Sequence, residues 1–346
     1  MSRKITLNEV ALKAEVSPTT AARVLHGRGY VSETNRNRVE TAIRDLGYRP
    51  NIQARGLRNS RSYVIGLILS SATANPFFTN IAHAVRTAAN ANGLSVQNFN
   101  HTYDLQVERD GIARFLDHRV EAVIACHALD PRNLQPLIAA GTPIIEIERK
   151  LSPKAHHILL DPAPGMIEAV RSLALAGHKR IAYLGGIARV LEVGERAART
   201  VERQRIEAFR SAIKACGLSL QSTHVDEVAY DDVDITLPLQ GLAWGKATLA
   251  EPKRPTAIIA GSDVLAAGIL QAAQTLALRV PKDLVVIGYD DSIARFLAPP
   301  LPTIAPPYTA IGIAAIEMIQ KARSSSARLS QTLPTTFISR DFVTIT

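Results

Sequence analysis

ITLNEVALKAEVSPTTAARVLHGRGYVSETNRNRVETAIRDLGYRPNIQARGL, residues 5–57, divides into three short capped helices and a fourth, basic segment. Thr6 stands three residues before Glu9, the reciprocal pattern in which a hydroxyl caps a helical amide and the carboxylate reaches back. Leu7, Val10, Ala11 and Ala14 then fall on one apolar face at helical spacing. Ser17 followed by Pro18 opens a second helix, because proline at the first helical position gives up an N–H that would be unpaired anyway. Only Glu15 and Val16 separate the two helices. So tight a turn forces a steep crossing and leaves the second helix protruding, the geometry of a helix-turn-helix whose second helix enters the major groove. Ser32 caps a third helix, in which Val39, Ala42, Ile43 and Leu46 close a small core, and Gly47 supplies a left-handed stop. The protruding face offers Pro18, Thr19, Ala22 and Arg23. Arg23 suits a bidentate grip on guanine, and Thr19 and Ala22 are sized for a thymine methyl or a phosphate.

Charge separates this reading from a generic three-helix bundle. Residues 1–60 hold eleven Lys/Arg against five Asp/Glu, so +6 of the net +9 lies in about one sixth of the chain. A basic module on a near-neutral body is the electrostatic footprint of phosphate binding, with affinity that falls steeply as salt rises. At 346 residues and 47% hydrophobic content the rest of the chain is ample for a large core. Two distant cysteines, Cys126 and Cys216, lack metal-type spacing and read as reduced thiols. The start lacks an apolar signal core, and no apolar run reaches membrane-spanning length, so the expectation is a soluble cytoplasmic protein without membrane contact.

From Tyr63 onward short apolar runs alternate with amphipathic stretches. VIGLIL, LSVQNF, EAVIAC and TPIIEI read as buried strands, with helices between them; then KRIAYLGG, HVDEVAY, TAIIAG and DLVVIGYD repeat the alternation. Two such series predict two doubly wound parallel-sheet subdomains, with ligands bound beyond the carboxyl ends of the strands.

TLNEVALKAEVSPTTAARVLHGRGYVS, continuing through GYRPNIQARGLR into SYVIGLIL, resembles the amino-terminal signature of the LacI/GalR family of transcription regulators, and the resemblance extends over nearly the whole chain. It implies an all-α helix-turn-helix DNA-binding domain over residues 1–50, a hinge helix and linker over 51–62, and an α/β core resembling periplasmic binding proteins over 63–346. Three crossings would divide that core into subdomain one, about 63–161 and 307–330, and subdomain two, about 163–305 and 331–346, with TTFISRDF returning as a strand of the second. In the hinge, Leu57 would wedge into the minor groove with Asn51 and Ala54 on the same side, unstacking one base step and bending the duplex. The implied DNA contacts are Thr6, Leu7, Ser17, Pro18, Thr19, Ala22, Arg23, His26, Tyr30, Asn51, Ala54 and Leu57. Glu15 stands where the family usually has Gly, and Ala21-Ala22 where it usually has Val-Ser.

For an effector, the resemblance points to strand ends: Phe77 and Phe78 in NPFF, Cys126, Glu148 and Arg149 in place of Asp-Arg, Arg205, Tyr230, Ser262 in place of Asn, Asp263, and Asp290 in GYDD. Pro306 replaces a common Gln, and His127 reads as a bystander. Carboxylates and an Arg around an aromatic wall are what polyhydroxylated ligands require. The implied function is a repressor controlled by a sugar or sugar derivative, or alternatively by a purine-type corepressor. One helix-turn-helix covers few base pairs, so a homodimer on near-palindromic operator DNA is expected, and KARSSSARLSQTLP lacks the leucine heptads of a tetramerising coiled coil. No Walker loop, G-x-S-x-G elbow or H-E-x-x-H motif argues for an enzyme, and no catalytic residue, metal or cofactor is expected. A sugar carrier without a DNA role would need an export signal and would leave the basic head unexplained.

Overall fold

The structure, a computed structural model, describes residues 5–27, 29–48, 61–70, 76–188, 192–230, 236–324 and 327–340. It divides into two compact units, Met1–Ser62 and Tyr63–Thr346. The expected hinge contacts Asn51, Ala54 and Leu57 lie outside the described residues.

The small unit is built from α1 (Leu7–Lys13), α2 (Pro18–His26) and α3 (Glu33–Leu46). Its caps follow from the sequence. The Thr6 N–H donates to Glu9 Oε2 at 2.7 Å and the Glu9 N–H to Thr6 Oγ1 at 3.4 Å, a reciprocal box. Ser17 Oγ accepts from the Thr20 N–H at 3.1 Å, with Pro18 at the first helical position. Val10, Ala11, Ala14, Ala21, Val24, Val39 and Ala42 form the core, with Ile43 and Leu46 half-buried at its edge. Glu15, between α1 and α2, adopts φ 53°, the left-handed conformation that a glycine would take without strain.

The large unit carries two six-stranded sheets. The first comprises β1 (Val64–Leu69), β2 (Ser95–Asn100), β3 (Val123–Ala125), β4 (Ile144–Ile147), β5 (His156–Asp161) and a late strand, β11 (Ser330–Pro334), in the order β11-β5-β4-β3-β1-β2 with every pair parallel. Its helices are α4 (Pro76–Ala91), α5 (Leu105–Asp117), the short α6 (Gln135–Ala139) and α11 (Tyr308–Ala322). The second comprises β6 (Ile181–Ala188), β7 (His224–Tyr230), β8 (Ala257–Ala260), β9 (Val285–Tyr289), β10 (Thr303–Ala305) and β12 (Thr336–Ile338), ordered β12-β10-β9-β8-β6-β7 and parallel except for the β10–β12 edge. With it go α7 (Ala163–Leu175), α8 (Glu192–Ala215), α9 (Thr236–Leu249) and α10 (Asp263–Thr275). Strands β3, β4, β8 and β9 are buried throughout, as strands covered by helices on both faces must be, which is why they read as unbroken apolar runs.

Strands β5, β10 and β11 escaped the sequence reading. The first begins His-His, the second has three residues, and the third is exposed except for Leu333. The last changes a boundary: Ser330–Pro334 runs parallel to His157–Asp161 in the first sheet, so the third crossing falls at Thr335 rather than after residue 330. Thr335 is buried, and its N–H and hydroxyl both donate to the Asp161 carbonyl at 3.0 Å. The same hydroxyl accepts from the Gly165 N–H at 3.3 Å, so the first and third crossings are tied together.

Candidate functional site

In the small unit, α2 turns Ala21 and Val24 into the core and leaves Pro18, Thr19 and Arg23 exposed, with Ala22 half-buried between them. Ser17, exposed at the helix start, and Tyr30, 91% exposed beyond its end, extend the same element. Lys13 pairs with Asp45 at 3.0 Å and Arg38 with Glu15 at 3.4 Å, whereas Arg23 enters no ion pair among the described residues. Of the other expected contacts, Thr6 is committed to its cap but exposed, Leu7 packs partly against the core, and the His26 side chain lies outside the description. An unpaired guanidinium on a protruding helix is free to meet a base edge or a phosphate.

In the large unit, groups from both subdomains meet beyond the strand ends. Phe77 and Phe78 open α4 with ring centroids 5.3 Å apart; Phe77 lies 6.0 Å from Tyr308 and Phe78 6.0 Å, edge-on, from His127. Glu148 follows β4 and Arg205 projects from α8, and the two join across the subdomains at 2.5 Å. Arg205 also donates to the Gly261 carbonyl at 3.2 Å and lies 4.3 Å over the Tyr289 ring. Burial works against its charge, but Glu148, with Tyr289 and Glu202 behind it, raises its pKa well above the usual arginine value. The Tyr308 hydroxyl donates to the Asp290 carbonyl at 2.5 Å, a second link between subdomains. Glu148 and Asp290 hold φ of 68° and 91°, left-handed backbone at two strand ends that face the same space.

Several expected ligand groups are bonded into the scaffold. Asp263 is fully buried, and its carboxylate accepts from the N–H groups of Ser292, Ile293 and Ala294 at 2.7, 3.1 and 3.0 Å and from the Thr303 hydroxyl at 2.8 Å. Gly288 makes room for it, since a Cβ there would meet Asp263 Oδ1 at 2.1 Å. Ser262 caps α10 by accepting from the Leu265 N–H at 3.1 Å. Asp290 keeps its place at the cleft, where Oδ1 accepts from the Ser292 N–H at 2.9 Å, and burial with the neighbouring Asp263 pushes its carboxyl well above the usual range. Cys126 is a correction: its side chain joins the apolar core with Ile124, and burial pushes the thiol up. His127 follows it beyond the end of β3 and is buried among aromatic rings. The Tyr230 backbone ends β7; its side chain lies outside the description.

His127, read from the sequence as a bystander, sits in a cluster of rings that the sequence did not reveal. The ring lies 5.4 Å from His101 and 5.5 Å from Tyr103. His101 is locked: the His127 carbonyl accepts from its Nε2 at 2.8 Å, and its Nδ1 accepts from the Tyr103 N–H at 3.0 Å. Burial lowers the His101 pKa to about 4, with the Arg149 charge adding to the effect, and the same causes depress His127. Glu108 holds the neighbouring loop, accepting from the Leu129 N–H and Asn133 Nδ2, each at 2.6 Å.

Two family models match the chain: "Bacterial regulatory proteins, lacI family" over residues 6–51 and "Periplasmic binding protein-like domain" over 170–341. The HTH-type transcriptional repressor CytR of Escherichia coli K12 is 30% identical over 316 residues, covering 89% of this chain and 86% of its own. The chain belongs to the lacI family. The ribose operon repressor of Haemophilus influenzae is 28% identical over 316 residues, covering 91% and 90%. A solved lac repressor dimer bound to operator and the anti-inducer ONPF aligns over 99% of this chain and 100% of its own, with 25% identity and a TM-score of 0.74. This lacI-family chain is therefore a transcriptional regulator with a DNA-binding head and a two-subdomain core. None of its described helices is long and apolar enough to cross a membrane.

Proposed function

We propose that the chain acts as a homodimeric repressor on near-palindromic operator DNA, released by a small polyhydroxylated effector bound between the core subdomains. The observation that carries this is the Glu148–Arg205 pair, which closes the cleft with one partner from each subdomain. A ligand seated there shares or replaces that pair, and it shifts the two-subdomain equilibrium by its difference in affinity between the two arrangements. Sugar chemistry fits the donors and acceptors present, and the similarity to a ribose operon repressor supports it. Two heads, one from each protomer, supply the reading length that a single α2 lacks.

Gel shifts at physiological salt test the reading. The wild type is expected to prefer its operator over random duplex and to lose that preference on adding effector. Arg23→Ala is expected to cost about 1–3 kcal/mol on the operator and far less on random DNA. Equal losses on both would reduce Arg23 to a phosphate contact. Tighter binding with ligand would instead identify a corepressor.

A further inference from the structure

Among the described residues, the carboxylates at the cleft are already engaged, Asp290 by the Ser292 N–H at 2.9 Å. Glu148 is bound to Arg205, Asp263 is saturated by three backbone amides and a hydroxyl, and Glu202 accepts from the Tyr183 hydroxyl at 2.7 Å. Arg149 is in the opposite position. It is half-buried, and among the described residues it makes no hydrogen bond and no ion pair; Glu148, the nearest acid in sequence, is engaged by Arg205. At the end of the neighbouring strand His127, 3% exposed, has among the described residues no hydrogen-bond partner on either ring nitrogen. A partly desolvated guanidinium that no described residue hydrogen-bonds is costly even with the Glu148 charge nearby, and a neutral ligand would bury it further without compensation. An oxyanion gives it a bidentate partner and gives the imidazole N–H an acceptor.

We propose that the effector is an anionic polyol, a sugar-like molecule bearing a carboxylate or phosphate, whose charged end is received by Arg149 and the His127 ring. His101 acts as a positioning residue through its bond to the His127 carbonyl, and Phe78 packs edge-on against the receiving ring. Glu148 and Arg205 are left for the hydroxyls. The inference rests on the effector reading of this same cleft.

Thermal shift and calorimetric titration of the full chain decide it, with matched sets as probes: ribose, ribonate and ribose 5-phosphate; glucose, gluconate and glucose 6-phosphate. At least one acid or phosphate is expected to raise Tm well beyond its neutral sugar, and which one distinguishes carboxylate from phosphate. Arg149→Gln is expected to weaken that probe roughly tenfold or more. Arg149→Lys, which keeps the charge and loses the fork, should recover part of the loss, and His127→Ala should weaken the acid or phosphate more than the neutral sugar. A neutral sugar that binds as well as its acid, or the absence of a response to every oxyanion, overturns the proposal. The effector reading fails separately, if no small molecule of either charge alters operator affinity.

Discussion

Glu15 pays for the sharp turn between α1 and α2 with a left-handed backbone, at φ 53°. A residue with a Cβ loses about 1 kcal/mol or more there, and the exposed pair with Arg38 returns little. Glu15→Gly is expected to stabilise the head by about 0.5–1 kcal/mol, net of the added freedom of the unfolded chain; calorimetry of the head transition should show a higher Tm, and a lower one would refute the strain. His101 makes the opposite kind of commitment. Its two bonds fix a neutral ring, Nε2–H donating and Nδ1 accepting, and a second proton would face the Tyr103 N–H. Between pH 6.5 and about 4 the unfolded chain binds a proton that the folded ring refuses. Stability is intact above that window and falls as pH drops through it, by up to ~3 kcal/mol. Urea midpoints at neutral pH and near the middle of the window should show the loss, and His101→Gln should reduce the slope. Residue identity at the cleft was only half legible. The resemblance placed NPFF and the Glu148-Arg149 pair after strand ends, where they lie, whereas the burial of Cys126 in the apolar core was not legible, because a strand-end residue reads the same whether it faces the core or the cleft.

At the scale of elements, buried carboxylates staple the loops that carry the site. Glu108 holds the loop after β3, Glu146 accepts from the Leu151 and Ser152 N–H groups at 2.9 Å each, and Asp263 gathers the turn after β9. Asp263→Ala leaves three amides and a hydroxyl without their acceptor, so a loss of about 3 kcal/mol or more is expected in urea denaturation. Unchanged stability with lost ligand affinity would return Asp263 to the ligand. The sequence alone could not make this assignment, since a carboxylate after a strand looks the same whether it faces a sugar or a turn. Helix starts were easier, because Thr6, Ser17 and Ser32 act on amides three residues away. Strands β1, β4, β8 and β9 were legible as apolar runs. Strands β5, β10 and β11 were not: β5 begins His-His, β10 has only three residues and β11 is an exposed edge, so none carries an apolar run long enough to rise above a loop.

Over the whole molecule, the chain passes between the two sheets three times, and under the proposed function these crossings are the pivot of regulation. Thr335→Val keeps the shape while leaving the Gly165 N–H unpaired and the Asp161 carbonyl with one donor fewer, and is expected to cost about 1–3 kcal/mol. Equilibrium unfolding gives the cost, and operator titrations with and without effector give the coupling, which should change as well; a variant identical to wild type in both would remove the tie from the pivot. The doubly wound pairing of sheets was readable from alternation, but the exact crossing was not, since it depends on which sheet claims Ser330–Pro334. That segment and Thr336–Ile338 are edge strands of different sheets, contributed by the same few residues near the carboxyl end. During synthesis, then, the head can fold as soon as it leaves the ribosome, while both sheets of the core stand one strand short until residues 330–338 have been made. A nascent chain can present its DNA-reading helices long before it has a working sensor, and a message cut before those residues would yield a binder that answers to no ligand.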